Sequence, residues 1–232
     1  MPLKKRPAPA MSDVGAPHDV KAIRAQIRGF LNQQIDGKKI GGSRFGVYVF
    51  YDYDGEPIYV GQTYEFLRSR IGRHLTNQRT DAVAMNVLDP FEVAEIEVWP
   101  LWDLEAMEER SARKILQSAE FTVFQKVLRS SSFKAVLNEK DVAKTSTIKL
   151  PKSYRARIIP NDLYELRKHP DVRIARRAST IASLARVISE REVSAGLRRT
   201  LVTQARRLER LASQRLAGIH ANIPQKPAEE ED

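Results

Sequence analysis

The chain contains no cysteine. Disulfides, thiolate zinc centres and cysteine nucleophiles are therefore excluded. Histidine is almost as scarce: His18, His74, His169 and His220 lie far apart without paired-ligand spacing, so any metal ion falls to carboxylates. No apolar run approaches the roughly 18 residues expected of a membrane span, and the opening MPLKKRPAPA has a basic start without the apolar stretch of a signal peptide. These absences predict an intracellular, cytoplasmic protein with no membrane partner.

What the sequence has in excess is positive charge. Its 39 Lys plus Arg outnumber 29 Asp plus Glu, giving a net +10 on 232 residues, while the 42% hydrophobic content is ordinary for a folded chain. A polyanionic partner is the expectation that follows. The excess is unevenly spread. Between Pro151 and Ala217 there are 16 Lys plus Arg against 6 Asp plus Glu, which equals the surplus of the whole chain.

Periodicity divides the chain as follows. Residues 1–17, rich in Pro and Ala, read as a disordered arm, and the acidic PAEEED end within 223–232 as a disordered tail. Val20, Ile23, Ile27, Phe30, Leu31 and Ile35 recur at helical spacing, predicting a helix that ends near Asp36-Gly37. Phe45 to Tyr53 and Pro57 to Gly61 are strand-like runs joined by Asp54-Gly55, a strong hairpin signal. Leu67, Ile71 and Leu75 place a helix directly after the second strand, with Arg70 and His74 one turn apart on its neighbouring face. A short helix is predicted over Asp81 to Leu88, and a third strand over EVAEIEVW.

A long helix is predicted from Leu104 to Leu128. Glu120 falls within its apolar stripe of Leu116, Val123, Phe124 and Val127, where a lone carboxylate is costly unless a cation or donor awaits it. From about Thr145 the composition changes, and two further helices are predicted, Asp171 to Ser189 and Glu192 to Ala217. Leu197, Leu201, Leu208 and Leu211 give the last one a partial heptad seam, suited to the preceding helix or to a homodimer through these C-terminal helices.

Gly46-Val47-Tyr48 and Tyr59-Val60-Gly61, followed by Arg70 on the next helix, resemble the signature of the GIY-YIG nuclease family. The resemblance covers about Phe45 to Glu139, and the order hairpin, helix, strand, helix agrees with the order read from periodicity. It implies an α/β (α+β) fold: a small antiparallel sheet flanked by helices, here followed by a basic helical module. Together with the change of composition near Thr145, the expected division is a nuclease domain over 18–144 including the N-terminal helix, and a basic helical DNA-binding or dimerisation module over 145–222.

The resemblance also implies a site built from Tyr48, Tyr59, Arg70, a metal-holding carboxylate and an Asn. Tyr48 is then a general base or water-positioning group, with Tyr59 on the phosphate. A branch of the family that includes some restriction endonucleases carries His one turn after the Arg, as His74 does here, so the base is Tyr48 or His74. The family's metal ligand is a Glu followed by apolar residues three, four and seven positions on. Glu120 fits with Val123, Phe124 and Val127, whereas Glu108 and Glu109 belong to the charged run EAMEER. Asn138 resembles the Asn that closes the domain. Gly46 and Gly61 fit a close approach of backbone or tyrosine rings, since neither lies in a glycine-rich phosphate loop.

This set of residues suits phosphodiester hydrolysis. A water must lose a proton, a pentacoordinate phosphorane must be neutralised, and a leaving oxygen must be stabilised. The resulting expectation is an endonuclease acting on DNA with Mg²⁺ or Mn²⁺, of restriction or repair type. The competing expectation is a non-catalytic nucleic-acid-binding protein that retains the fold, and a third has the C-terminal helices holding a protein partner.

Overall fold

The computed structural model describes residues 17–75, 89–138 and 141–221. The helix expected over Asp81 to Leu88 lies outside the described residues, as do the acidic tail and all but Pro17 of the N-terminal arm. Among the described residues, no helix is long and apolar enough to cross a membrane.

Helix α1 (His18–Leu31) buries Ile27, Phe30 and Leu31. It stops earlier than its apolar period suggests because the next residues form a two-residue ladder, β1 (Gln34–Ile35) with β2 (Lys38–Lys39). Asp36 and Gly37 close that ladder at φ 49° and 76°. Two consecutive left-handed residues make the tight hairpin turn for which Asp-Gly is suited.

The main sheet comprises β3 (Gly46–Tyr51), β4 (Pro57–Thr63), β5 (Glu95–Pro100) and β6 (Tyr154–Arg157), all antiparallel in the order β4-β3-β5-β6. Strand β6 lies beyond residue 144 and completes the sheet by pairing with β5. Its Tyr154 and Ala156 alternate with exposed Arg155 and Arg157.

Alternation along β3 divides the core in two. Val47, Val49 and Tyr51 face α3 (Glu109–Ser130), whose Ala112, Leu116, Ala119, Val123 and Val127 pack against them with Trp99. Tyr48 and Phe50 face the other way, towards Leu67 and Ile71 of α2 (Leu67–Leu75), the buried residues of α1, and Leu184, Val187 and Leu197 further along the chain. The latter belong to α5 (Pro170–Glu190) and α6 (Ala195–Ala221), which follow the short α4 (Asn161–Lys168). Because β3 is covered on both faces, all six of its residues are buried.

Several boundaries differ from the sequence reading, the last helix running Ala195–Ala221 among them. Helix α3 starts at Glu109, not Leu104, because residues 102–106 form a 3₁₀ turn and the Glu108 carboxylate then caps the helix. Pro170 opens α5 at its first turn, where a missing N–H costs nothing.

The basic C-terminal helices are fastened to the sheet by charge. Arg173, Arg177 and Arg207 are each at most 3% exposed, and all three reach Asp52 Oδ2, at 3.4, 3.0 and 2.7 Å. Arg177 also bonds Glu92 at 2.8 Å, and Arg173 bonds Asp54 at 2.6 Å. These arginines are consequently not available to phosphate. The leucine seam of α6 is likewise used inside the chain: Leu197 joins the core containing Leu184 and Val187 of α5, and Leu201 packs on that core. Of the two partners offered to that seam by the sequence, the preceding helix takes it.

Candidate active site

The hairpin explains the spacing of its glycines. Tyr48 stands opposite Gly61 and Phe50 opposite Tyr59, so all four share one face. A Cβ on Gly61 would lie 2.5 Å from the Tyr48 Oη and 2.6 Å from its Cζ. Hydrogen at that position is what lets the phenol cross the edge strand. Gly46 makes a different allowance: its missing Cβ leaves room for Leu67 of α2, at 2.9 Å. The expected close approach of a tyrosine ring thus occurs at Gly61, while at Gly46 a leucine takes the space.

Helix α2 delivers two further side chains to the phenol. Arg70 Nε donates to Tyr48 Oη at 3.3 Å, and Tyr48 Oη lies 3.0 Å from His74 Nε2. The Tyr48 phenol and the His74 imidazole thus share one hydrogen bond, whose direction follows the tautomer of His74. His74 is 4% exposed and Tyr48 is fully buried. Tyr59 completes the group, its ring 6.2 Å from that of Tyr48 and 5.1 Å from that of His74. Burial works against the charge of Arg70, but Tyr48, Tyr59 and Glu65 together outweigh it, and Arg70 holds its proton more firmly than usual.

Glu120 comes from the opposite side, on α3. Burial raises its carboxyl to about 7, with the positive charge of Arg70 pulling in the other direction. The Glu120 carboxylate makes no hydrogen bond or ion pair among the described residues. The competing carboxylates have other partners. Glu108 accepts from Arg110 N at 2.9 Å and Ser111 N at 3.0 Å as the cap of α3, and Glu109 bonds Arg113 on the exposed first turn. Helix capping draws the Glu108 carboxyl below its ordinary range, as Arg113 does for Glu109.

Asn138 reaches the same strand from the far side. Its Oδ1 accepts from Val60 N at 3.1 Å and its Nδ2 donates to Val60 O at 2.7 Å, while Leu137 N donates to Ile58 O at 2.7 Å. Strand β4 lies at the edge of the sheet, and these bonds occupy the polar groups an edge would leave open. Asn138 therefore holds β4, which carries Tyr59 and Gly61, and is not directly on the Tyr48 phenol.

The structure thus brings Tyr48, Tyr59, Arg70 and His74 into contact, sets Glu120 under the influence of Arg70, and uses Asn138 as a brace. Among the described residues, no three acidic or histidine side chains form a metal cluster. A desolvated carboxylate without a partner among the described residues does fit a site in which one carboxylate holds a divalent ion and water or substrate oxygens supply the rest. Sequence reading missed the Tyr48 to His74 hydrogen bond. Its only signal was the four-residue step from Arg70 to His74, which shows a shared helix face but not what faces it.

Residues 44–114 match the family model of the GIY-YIG catalytic domain. The match includes Tyr48, Tyr59, Arg70 and His74, and ends before Glu120 and Asn138. Comparison with curated proteins and with solved structures gave no significant match. Residues 44–114, which contribute the main hairpin, α2, β5 and the start of α3, are thus similar to the GIY-YIG catalytic domain.

Proposed function

We propose that the protein is an endonuclease that hydrolyses DNA phosphodiester bonds at the site formed by Tyr48, Tyr59, Arg70, His74 and Glu120. The observation that carries this reading is the hydrogen-bonded series from Arg70 through Tyr48 to His74. A phenol ordinarily deprotonates near pH 10, so Tyr48 alone is a poor base at neutral pH. In the tautomer whose Nε2 accepts the Tyr48 proton, Tyr48 can take a proton from water while passing its own to the imidazole. The choice between Tyr48 and His74 as base then becomes a relay that uses both.

Arg70 has a second task. Its planar, permanently charged guanidinium spends only Nε on Tyr48 and keeps further donors for a phosphate oxygen, whose charge grows in the phosphorane. Tyr59, ring to ring with Tyr48, is assigned to the same phosphate. Glu120 would hold Mg²⁺ or Mn²⁺, which when bound supplies Lewis-acid stabilisation of the phosphorane and leaving oxygen. Asn138 is a positioning residue, acting through β4.

The test is cleavage of supercoiled plasmid with Mg²⁺, with Mn²⁺ and with chelator, wild type beside Arg70→Ala. Nicking or linearisation that requires the ion and disappears in Arg70→Ala is the expected result. Salt-sensitive DNA binding without cleavage of plasmid, branched or methylated DNA would replace this reading with a binding protein on a retained fold.

A further inference from the structure

A groove of about 670 Å³ runs between the end of α3, the segment 133–138 and α6. Its volume lies within the range of built ligand sites. Three observations bear on what occupies it, given the nuclease reading on which the inference rests.

The first is position. Phe124 lines the groove and sits one helical turn beyond Glu120 on the same face of α3. Four residues of helix advance about 6 Å, one to two nucleotide steps at about 3.4 Å each. Asn138 lines the groove as well, while bonding Val60 of β4. The groove therefore begins where the proposed site ends.

The second is charge. Many arginines of the C-terminal segment are engaged internally, Arg173, Arg177 and Arg207 with the acids of the hairpin and Arg199 with Asp141, the carboxylate of the groove. Arg198 and Arg206 also line the groove, are exposed, and make no ion pair among the described residues.

The third is the floor. Phe124, Leu128, Val136 and Val202 give it an apolar surface, and Val202 is 51% exposed. A duplex backbone needs cations but no apolar floor, and an apolar helix needs the floor but no arginine rim. An unstacked base beside its phosphates needs both, with stacking on aromatic and apolar side chains and salt-dependent contacts to arginine.

We propose that the α3/α6 groove binds an unpaired nucleotide of the cleaved strand, its base against Phe124 and Val202 and its phosphates at Arg198 and Arg206. The preferred substrate is then DNA with a single-stranded segment adjoining the scissile position, not continuous duplex.

The test is equilibrium binding in chelator, which separates binding from cleavage. Wild type and the Arg198→Ala/Arg206→Ala double variant are each titrated with a blunt duplex and with a duplex bearing a short overhang that carries 2-aminopurine. Wild type is expected to favour the overhang by about tenfold and to change the 2-aminopurine fluorescence, as stacking predicts. The double variant is expected to lose the preference, and its salt slope on the overhang to fall by about 1.4, two single-strand phosphates at about 0.7 each. Val202→Glu, on an exposed position, should lose the fluorescence change while remaining folded. Equal affinity for both DNAs, a preference retained in the double variant, or a self-associated chain that Val202→Glu dissociates would each overturn the proposal. Metal-dependent cleavage that persists without an overhang preference would sink the groove alone; an overhang preference without cleavage under any ion would sink the nuclease reading and leave the groove standing.

Discussion

The Glu120 carboxyl, raised to about 7 from its model-compound value of 4.5, ties stability to pH in a definite direction. The folded chain holds this proton more tightly than the unfolded chain. Its contribution is fully present below about pH 4.5, declines as pH rises, and is gone above about 7. A shift of that size corresponds to about 3 kcal/mol at most. Glu120→Gln is therefore expected to unfold at a higher denaturant concentration than wild type at pH 8 and at a similar one near pH 4, while cleavage is lost. Added Mg²⁺ at pH 8 should raise the midpoint of wild type but not of the variant, because only a ligand-holding folded state gains from mass action. Wild-type stability that does not change between pH 5 and 7.5 would contradict the carboxyl's assignment.

Gly61 makes the second prediction at this scale. Any side chain there meets the Tyr48 phenol. Gly61→Ala should retain the far-ultraviolet spectrum of the fold and lose cleavage by at least about tenfold, the penalty expected when a catalytic group is displaced by roughly 1 Å. Cleavage by Gly61→Ala at the wild-type rate would show that the phenol's place is not critical.

Among the elements, β4 has the most exacting position, since it carries Gly61 and Tyr59 at the sheet edge. Asn138 closes that edge through two hydrogen bonds to Val60, each worth about 1 kcal/mol net. Asn138→Ala should destabilise the chain by about 2 kcal/mol and accelerate amide exchange at Val60 ahead of the β3 amides. Unchanged exchange at Val60 would remove the brace.

The elements also show what a sequence can carry. The main hairpin, α2 and the third strand were legible because local periods and an Asp-Gly turn report local geometry. The β1–β2 hairpin had the same signal in Asp36-Gly37 but was hidden by the apolar period of α1 running towards it. Strand β6 had an alternation of only Tyr154, Ala156 and Ile158 in a basic context, and it was read as part of another module. Tyr48 and Arg70 stand out in the sequence through their resemblance to the family signature, and Glu120 through its place in an apolar stripe. The Tyr48 to His74 bond and the groove were not, because both depend on elements that meet only after folding.

For the whole molecule, part of the C-terminal positive charge is used inside the fold. The C-terminal arginines that look most like a phosphate-binding face converge on Asp52 and Glu92, 2% and 4% exposed. They join α5 and α6 to the hairpin that carries Tyr48. Such a cluster is weak as a net source of stability, but removing one member leaves uncompensated charge in the interior. Asp52→Asn should cost about 3 kcal/mol or more, read as a fall in the urea midpoint. It should also lower cleavage at temperatures where the fold persists, because the helices and the hairpin share the same support. A loss below about 1 kcal/mol would mean that water already reaches these guanidinium groups.

The central claim is that one site joins Tyr48, His74 and Arg70 on one side of the hairpin to Glu120 on the other. The most direct measurement is Mg²⁺-dependent cleavage of supercoiled plasmid by Glu120→Ala, Glu108→Ala and Glu109→Ala in parallel, at equal folded fraction. Loss of cleavage is expected in Glu120→Ala, with Glu108→Ala and Glu109→Ala keeping it. Cleavage that survives in Glu120→Ala and fails in either of the others would contradict it.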